Sequence, residues 1–93
     1  MERIWTTEIG GRVGERVRLA GWLHRYRQLG QVGFLVLRDG RGMAQVVVED
    51  ETLAARLATL PAETVMVASG EVIAEPQAPG GVEVRLAELE VLA

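Results

Sequence analysis

Cysteine and lysine are both missing from these 93 residues, and Phe, His and Ser occur once each, at Phe34, His24 and Ser69. Without cysteine there is no disulfide to staple a small fold and no thiolate to hold a metal. With one His and no Cys, zinc lacks a ligand set; only scattered carboxylates remain for a hard cation. Ser69 and His24 have no evident acid partner, so a nucleophilic triad has no basis, and Ser69-Gly70 reads as a strand break. The paired glycines fit no phosphate-loop spacing. The opening stretch "MERIWTTEIG" has no apolar run behind its basic residue, so it is not a secretory signal. No window approaches the ~20 apolar residues of a membrane span. These absences lead to the expectation of a cytoplasmic protein with no membrane partner and no active site in this stretch.

Charge is present and unevenly placed. The formal net charge is -3, and all ten basic residues are Arg. Up to Arg41 there are eight Arg against Glu2, Glu8, Glu15 and Asp39; from Gly42 onward Arg56 and Arg85 face nine acids. The first part thus carries +4 (8 − 4) and the second −7 (2 − 9). A domain built from both can show a positive face, and the planar Arg fork suits phosphates and base edges.

Turn signals recur at short intervals, "GGRVG" at 10–14, "GQVG" at 30–33, "DGRG" at 39–42 and "PQAPGG" at 76–81. Between them lie β-rich runs at 16–28, 32–39, 42–49, 63–75 and 81–92. The first is long, and Gly21 inside it predicts a bend or bulge; the fourth is expected to break near Gly70. In "DETLAARLATLP" the period changes. Leu53, Leu57 and Leu60 fall on one helix face, with Asp50 as N-cap, Glu51 in the first turn and Pro61 as the stop. Three strands, a short helix and two strands make an all-β fold with one helix. That is the order of the five-stranded OB-fold barrel, a frequent binder of oligonucleotides, with the helix plugging one end.

Strand alternation then sorts the side chains. Phe34, Val36 and Arg38 share one face of the second run, and Gln45, Val47 and Glu49 share one face of the third. Arg38 and Glu49 are costly to bury, so those faces are expected outside. Phe34 and Gln45 would then stand together on the surface, a stacking plate beside a hydrogen-bonding amide. In the first run, Val17, Leu19 and Leu23 point inward. Strict parity would send Arg25 and Arg27 inward too, unless a bulge near Gly21 or His24 turns them out.

At these residues the chain resembles a known family. "GWLHRYRQLGQVGFLVLRDGRGMAQVVV", 21–48, is similar to the anticodon-binding OB domain of class IIb aminoacyl-tRNA synthetases, above all the archaeal type of aspartyl-tRNA synthetase. The likeness runs from about Thr7 to Leu92. It implies that Phe34 stacks on the central anticodon base, a uracil, and that Arg27 and Gln45 hydrogen-bond it. His24 and Pro79, where enzymes selective for tRNA-Asp tend to carry Trp and Lys, imply the subclass that charges both tRNA-Asp and tRNA-Asn. Arg25, Arg38 and Arg41, with Arg12 and Arg85, would meet phosphates. The resemblance further implies that residues 1–93 are one OB domain of a longer synthetase. A class II catalytic domain using ATP and Mg2+ would follow downstream, in a homodimer, with a tRNA-dependent amidotransferase as a further partner. An asparaginyl- or lysyl-tRNA synthetase domain, a free-standing single-strand binder and a protein-interaction barrel remain open at this stage.

Overall fold

In the computed structural model, which describes residues 2–93, the apolar alternation becomes a closed sheet. The chain enters through a two-residue strand, β1 (Arg3–Ile4), and a 3-10 segment, Thr6–Gly11. Then follow β2 (Arg16–Leu29), β3 (Val32–Arg38), β4 (Met43–Val48), α1 (Glu51–Ala58), β5 (Val65–Ala74), a short 3-10 turn (Pro79–Gly81) and β6 (Val82–Val91). Strands β2, β3, β4, β6 and β5 neighbour one another in that order, and β5 pairs back onto β2 to close the barrel. The β4–β6 pairing is parallel; the others around the barrel are antiparallel. This is the five-stranded OB-fold with its single helix between the third and fourth barrel strands. β1 adds a short parallel pairing beside Arg18 and Leu19 that the sequence pattern did not signal.

Closure depends on β2, which serves two partners. Its first half pairs with β5 and its second half with β3; they meet at Trp22, opposite both Val65 and Arg38. Two local features let the strand bend through this junction. A Cβ on Gly21 would stand 2.1 Å from the Arg38 carbonyl oxygen, so only glycine admits this backbone approach. Further on, Leu23 faces Leu37 but Arg25 faces Val36, which makes His24 the extra residue of a β-bulge. The two candidates for the bulge thus have different roles: His24 is the bulge and Gly21 the close approach. The expected break near Gly70 does not occur. β5 runs unbroken, and the irregularity lies in β6, where Ser69 faces Glu88 and Gly70 faces Leu86.

The inward parity of all five barrel strands forms one core with Leu19, Leu35, Leu37, Val46, Met66, Val72 and Val84 fully buried. Helix α1 seals one end. Leu57 is fully buried there, with Leu53 and Leu60 packed beside it. Burial of such a leucine contributes roughly 1.5–3 kcal/mol. The Asp50 carboxylate caps the helix by accepting from the Leu53 amide at 2.9 Å, as the sequence pattern indicated. Among the described residues no helix is long and apolar enough to cross a membrane.

Candidate nucleic-acid interface

The bulge at His24 decides which side chains meet solvent. Before it, Val17, Leu19 and Leu23 point inward; after it, Tyr26 packs against the core while Arg25 and Arg27 are exposed. Register then aligns three outward rows across β2, β3 and β4: Arg27–Phe34–Val47, Arg25–Val36–Gln45, and Trp22–Arg38–Met43. Successive rows are roughly 7 Å apart along a strand. Phe34 is half-buried, lies outside the core cluster and so presents its ring on the barrel surface.

Arg27, Phe34 and Gln45, separated by up to 18 positions in sequence, line one cleft. Its remaining walls are Leu29, Glu75, Gln77, Ala78 and Glu83. The Gln45 amide nitrogen donates to a Glu83 carboxylate oxygen at 2.7 Å. With one of its two N–H donors engaged there, Gln45 keeps its carbonyl oxygen and one N–H for a ligand, while Arg27 offers further donors. Glu83 is only 5% exposed and Glu75 half-buried, so the cleft also holds acceptors for base N–H groups. Both acids escaped sequence reasoning. Glu83 reaches Gln45 through the parallel β4–β6 pairing, which no local pattern reveals. The loop of Glu75, Gln77 and Ala78 is held by its own bonds, among them Gln77 N–H to the Glu75 carboxylate at 3.1 Å and Ala78 N–H to the Glu75 carbonyl at 2.9 Å.

The arginines divide into two sets. Arg12 pairs with Glu15 at 3.3 Å, Arg16 with Glu88 at 3.2 Å, and Arg85 with Glu49 at 3.2 Å and Glu71 at 3.9 Å. Among the described residues Arg25, Arg27 and Arg38, all on the Phe34 face, have no carboxylate partner. Arg41 lies over the Trp5 ring, 4.6 Å from its centre. This geometry separates Arg25, Arg38 and Arg41, free of anionic partners, from Arg12 and Arg85, which would have to leave ion pairs to reach a phosphate.

A buried carboxylate organises this edge. Asp39 accepts from the Thr6 amide at 2.8 Å, the Thr6 hydroxyl at 2.9 Å, the Arg41 amide at 2.9 Å and the Gly42 amide at 3.0 Å. Burial pushes its carboxyl up, but the hydrogen bonds together outweigh that and hold it below the usual carboxylate range. On the other side of the bulge, burial raises the Tyr26 phenol.

The other two sequence candidates stand apart from the cleft walls. His24 is exposed at the bulge. Pro79 is exposed at the start of the 3-10 turn and lines a separate depression with Thr6, Thr7, Ile9, Met43 and Val82.

A closed five-stranded barrel bearing an outward aromatic, an amide and unpaired arginines has the architecture and the surface of an OB-fold nucleic-acid binder. Residues 17–92 match the tRNA anti-codon family, OB-fold nucleic acid binding domain, and the chain belongs to that family. It is 45% identical over 83 residues to the aspartate–tRNA(Asp/Asn) ligase of Natronomonas pharaonis, covering 85% of this chain and 19% of that protein. It is 35% identical over 96 residues to the asparagine–tRNA ligase of Pelotomaculum thermopropionicum, covering 99% and 22%. Among solved structures it resembles asparaginyl-tRNA synthetase from Pyrococcus horikoshii complexed with asparaginyl-adenylate, with a TM-score of 0.91, 34% identity and coverage of 99% and 22%. The chain therefore spans about a fifth of the length of the curated relatives it matches.

Proposed function

We propose that this barrel reads the anticodon loop of a tRNA by its central uracil, as the recognition domain of an aspartate–tRNA ligase. The observation that carries the reading is the convergence of Arg27, Phe34 and Gln45 on one cleft. A single-stranded loop can splay its bases over the sheet, and the Phe34 ring supports the central one by stacking. The Gln45 amide, oriented by its bond to Glu83, accepts from the uracil N3–H through its carbonyl, and Arg27 donates to a ring carbonyl. Cytosine, which has no N–H at that ring position, loses the Gln45 bond. Arg25, Arg38 and Arg41 hold the flanking phosphates. Gln77 and Ala78, from the "PQAPGG" loop, border a neighbouring base. His24 and Pro79 underlie acceptance of both tRNA-Asp and tRNA-Asn, whose anticodons differ at the third base.

Residues 1–93 act as one domain of a longer dimeric, cytoplasmic protein whose class II catalytic part supplies the ATP and Mg2+ chemistry. The barrel itself supplies recognition of the loop. Asparagine ligation is the second reading, favoured by the match to the Pelotomaculum asparagine–tRNA ligase over 99% of this chain. Aspartate charging of tRNA-Asn would in turn call for an amidotransferase.

Titration of the chain with anticodon stem-loops tests the recognition step. Loops with a central uracil should bind more tightly than loops with any other central base, and Phe34→Ala should weaken that binding by about 1–3 kcal/mol while leaving the thermal midpoint nearly unchanged. Equal affinity for every central base overturns the uracil reading. Charging assays on the longer protein with both tRNAs and both amino acids decide between the two ligations.

A further inference from the structure

We infer that Trp5 and Arg41 form a second RNA contact on this barrel, which takes a nucleotide flanking the three anticodon bases. The inference rests on the anticodon reading and extends it beyond the Phe34 cleft. Trp5 is 42% exposed and stands in a depression with Arg3, Ile4 and Ala20, and none of these residues lines the Phe34 cleft. The Arg41 guanidinium covers the ring at 4.6 Å, so the pair offers a flat cationic plate.

The plate is built into the fold. Asp39 binds the Thr6 amide and hydroxyl from one side and the Arg41 and Gly42 amides from the other. One buried carboxylate thus fixes the residue after Trp5 and the turn that carries Arg41. The Trp5 amide donates to the Glu8 carboxylate at 2.8 Å, which holds the start of the 3-10 segment. The position is also suitable. Phe34, Val36 and Arg38 follow one another along the outer side of β3, and the Asp39–Gly42 turn comes next. Arg38 therefore lies roughly 13 Å from Phe34 along the strand, with Trp5 and Arg41 beyond it. A strand whose central base rests on Phe34 would pass Arg38 and reach the plate two or three nucleotides later. Arg3, in the same depression, and Arg38, between the Phe34 cleft and the plate, have no carboxylate partner among the described residues and suit the accompanying phosphates.

The test compares two RNAs: a trinucleotide with a central uracil, and an anticodon stem-loop carrying the same three bases. Trp5→Leu and Arg41→Ala should each weaken stem-loop binding at least about fivefold, the low end expected for loss of one stacking contact. Trp5→Leu should leave trinucleotide binding unchanged, Arg41→Ala should weaken trinucleotide binding less than it weakens stem-loop binding, and Trp5→Phe should keep most of the stem-loop affinity. An unchanged stem-loop affinity in Trp5→Leu and Arg41→Ala overturns the inference. So does a parallel loss on both RNAs, or an equal loss in Trp5→Phe and Trp5→Leu, because the ring would then act through the fold and not by stacking. Phe34→Ala, measured alongside, should weaken both RNAs. If it weakens neither, the anticodon reading itself fails, whatever Trp5 does.

Discussion

Asp39 shows how much one residue can do that its local sequence understates. In "DGRG" it reads as an ordinary turn former, and it does organise that turn through the Arg41 and Gly42 amides. Its two bonds to Thr6, 33 positions away, were invisible without the barrel. Its carboxyl is held below the usual range in the folded state, so its contribution is fully present above about pH 4, the unfolded value. That contribution fades as pH falls through the lower, folded value. Asp39→Asn should therefore lower the thermal midpoint at neutral pH, and the gap from the parent should narrow as pH is taken below 4; circular dichroism melts across pH give the comparison. A gap that stays constant down to acid pH would mean the ionised carboxylate is not what matters. Phe34 and Gln45 were legible for a different reason. Each shares a strand face with a charge too costly to bury, Arg38 and Glu49, and parity did the rest. Glu83 has no such signal: its neighbour Gln45 is 38 positions away and on a parallel strand.

At the scale of elements, strands and helix were readable because their periods differ. Leu53, Leu57 and Leu60 at helical spacing could not sit on one strand face, and Asp50 and Pro61 bracket the segment. The N-terminal pieces, β1 and the 3-10 segment, were not readable, since two residues of pairing leave no period to detect. Bulges lie between these cases. Parity demanded one in β2 to turn Arg25 and Arg27 outward, but only the register shows that His24 supplies it. The β5–β6 pair makes a sharp demand of its own: a Cβ on Gly70 would stand 1.9 Å from the Arg85 carbonyl oxygen, so the strands must part to admit one. Gly70→Ala should cost about 1–3 kcal/mol or more, read as a shift of the urea midpoint with the slope unchanged. A neutral effect would show that β6 can slide at its extra residue.

For the molecule as a whole, the net charge of -3 is a poor guide to what the surface attracts. Folding ties Arg12, Arg16 and Arg85 to carboxylates and leaves Arg25, Arg27 and Arg38, on the Phe34 face, without such partners among the described residues. The sequence already showed a basic first part and an acidic second part; which arginines would be neutralised depended on which acids the barrel brings beside them. If Arg25, Arg38 and Arg41 each meet one phosphate, log K for a single-stranded loop should fall with log salt at a slope of about -2. Arg25→Gln should reduce that slope by about 0.7, whereas Arg85→Gln should leave it nearly unaltered. Titrations over a salt series measure both, and an equal change in the two variants would show that overall charge, not this face, sets the affinity.

The closed sheet gives the two parities of each strand separate histories. One set of side chains is locked by mutual contact around the barrel axis. The other is free to drift, because exchanging an outward residue removes little that the interior needs. Such a scaffold can exchange its outward letters one position at a time while the interior keeps it folded.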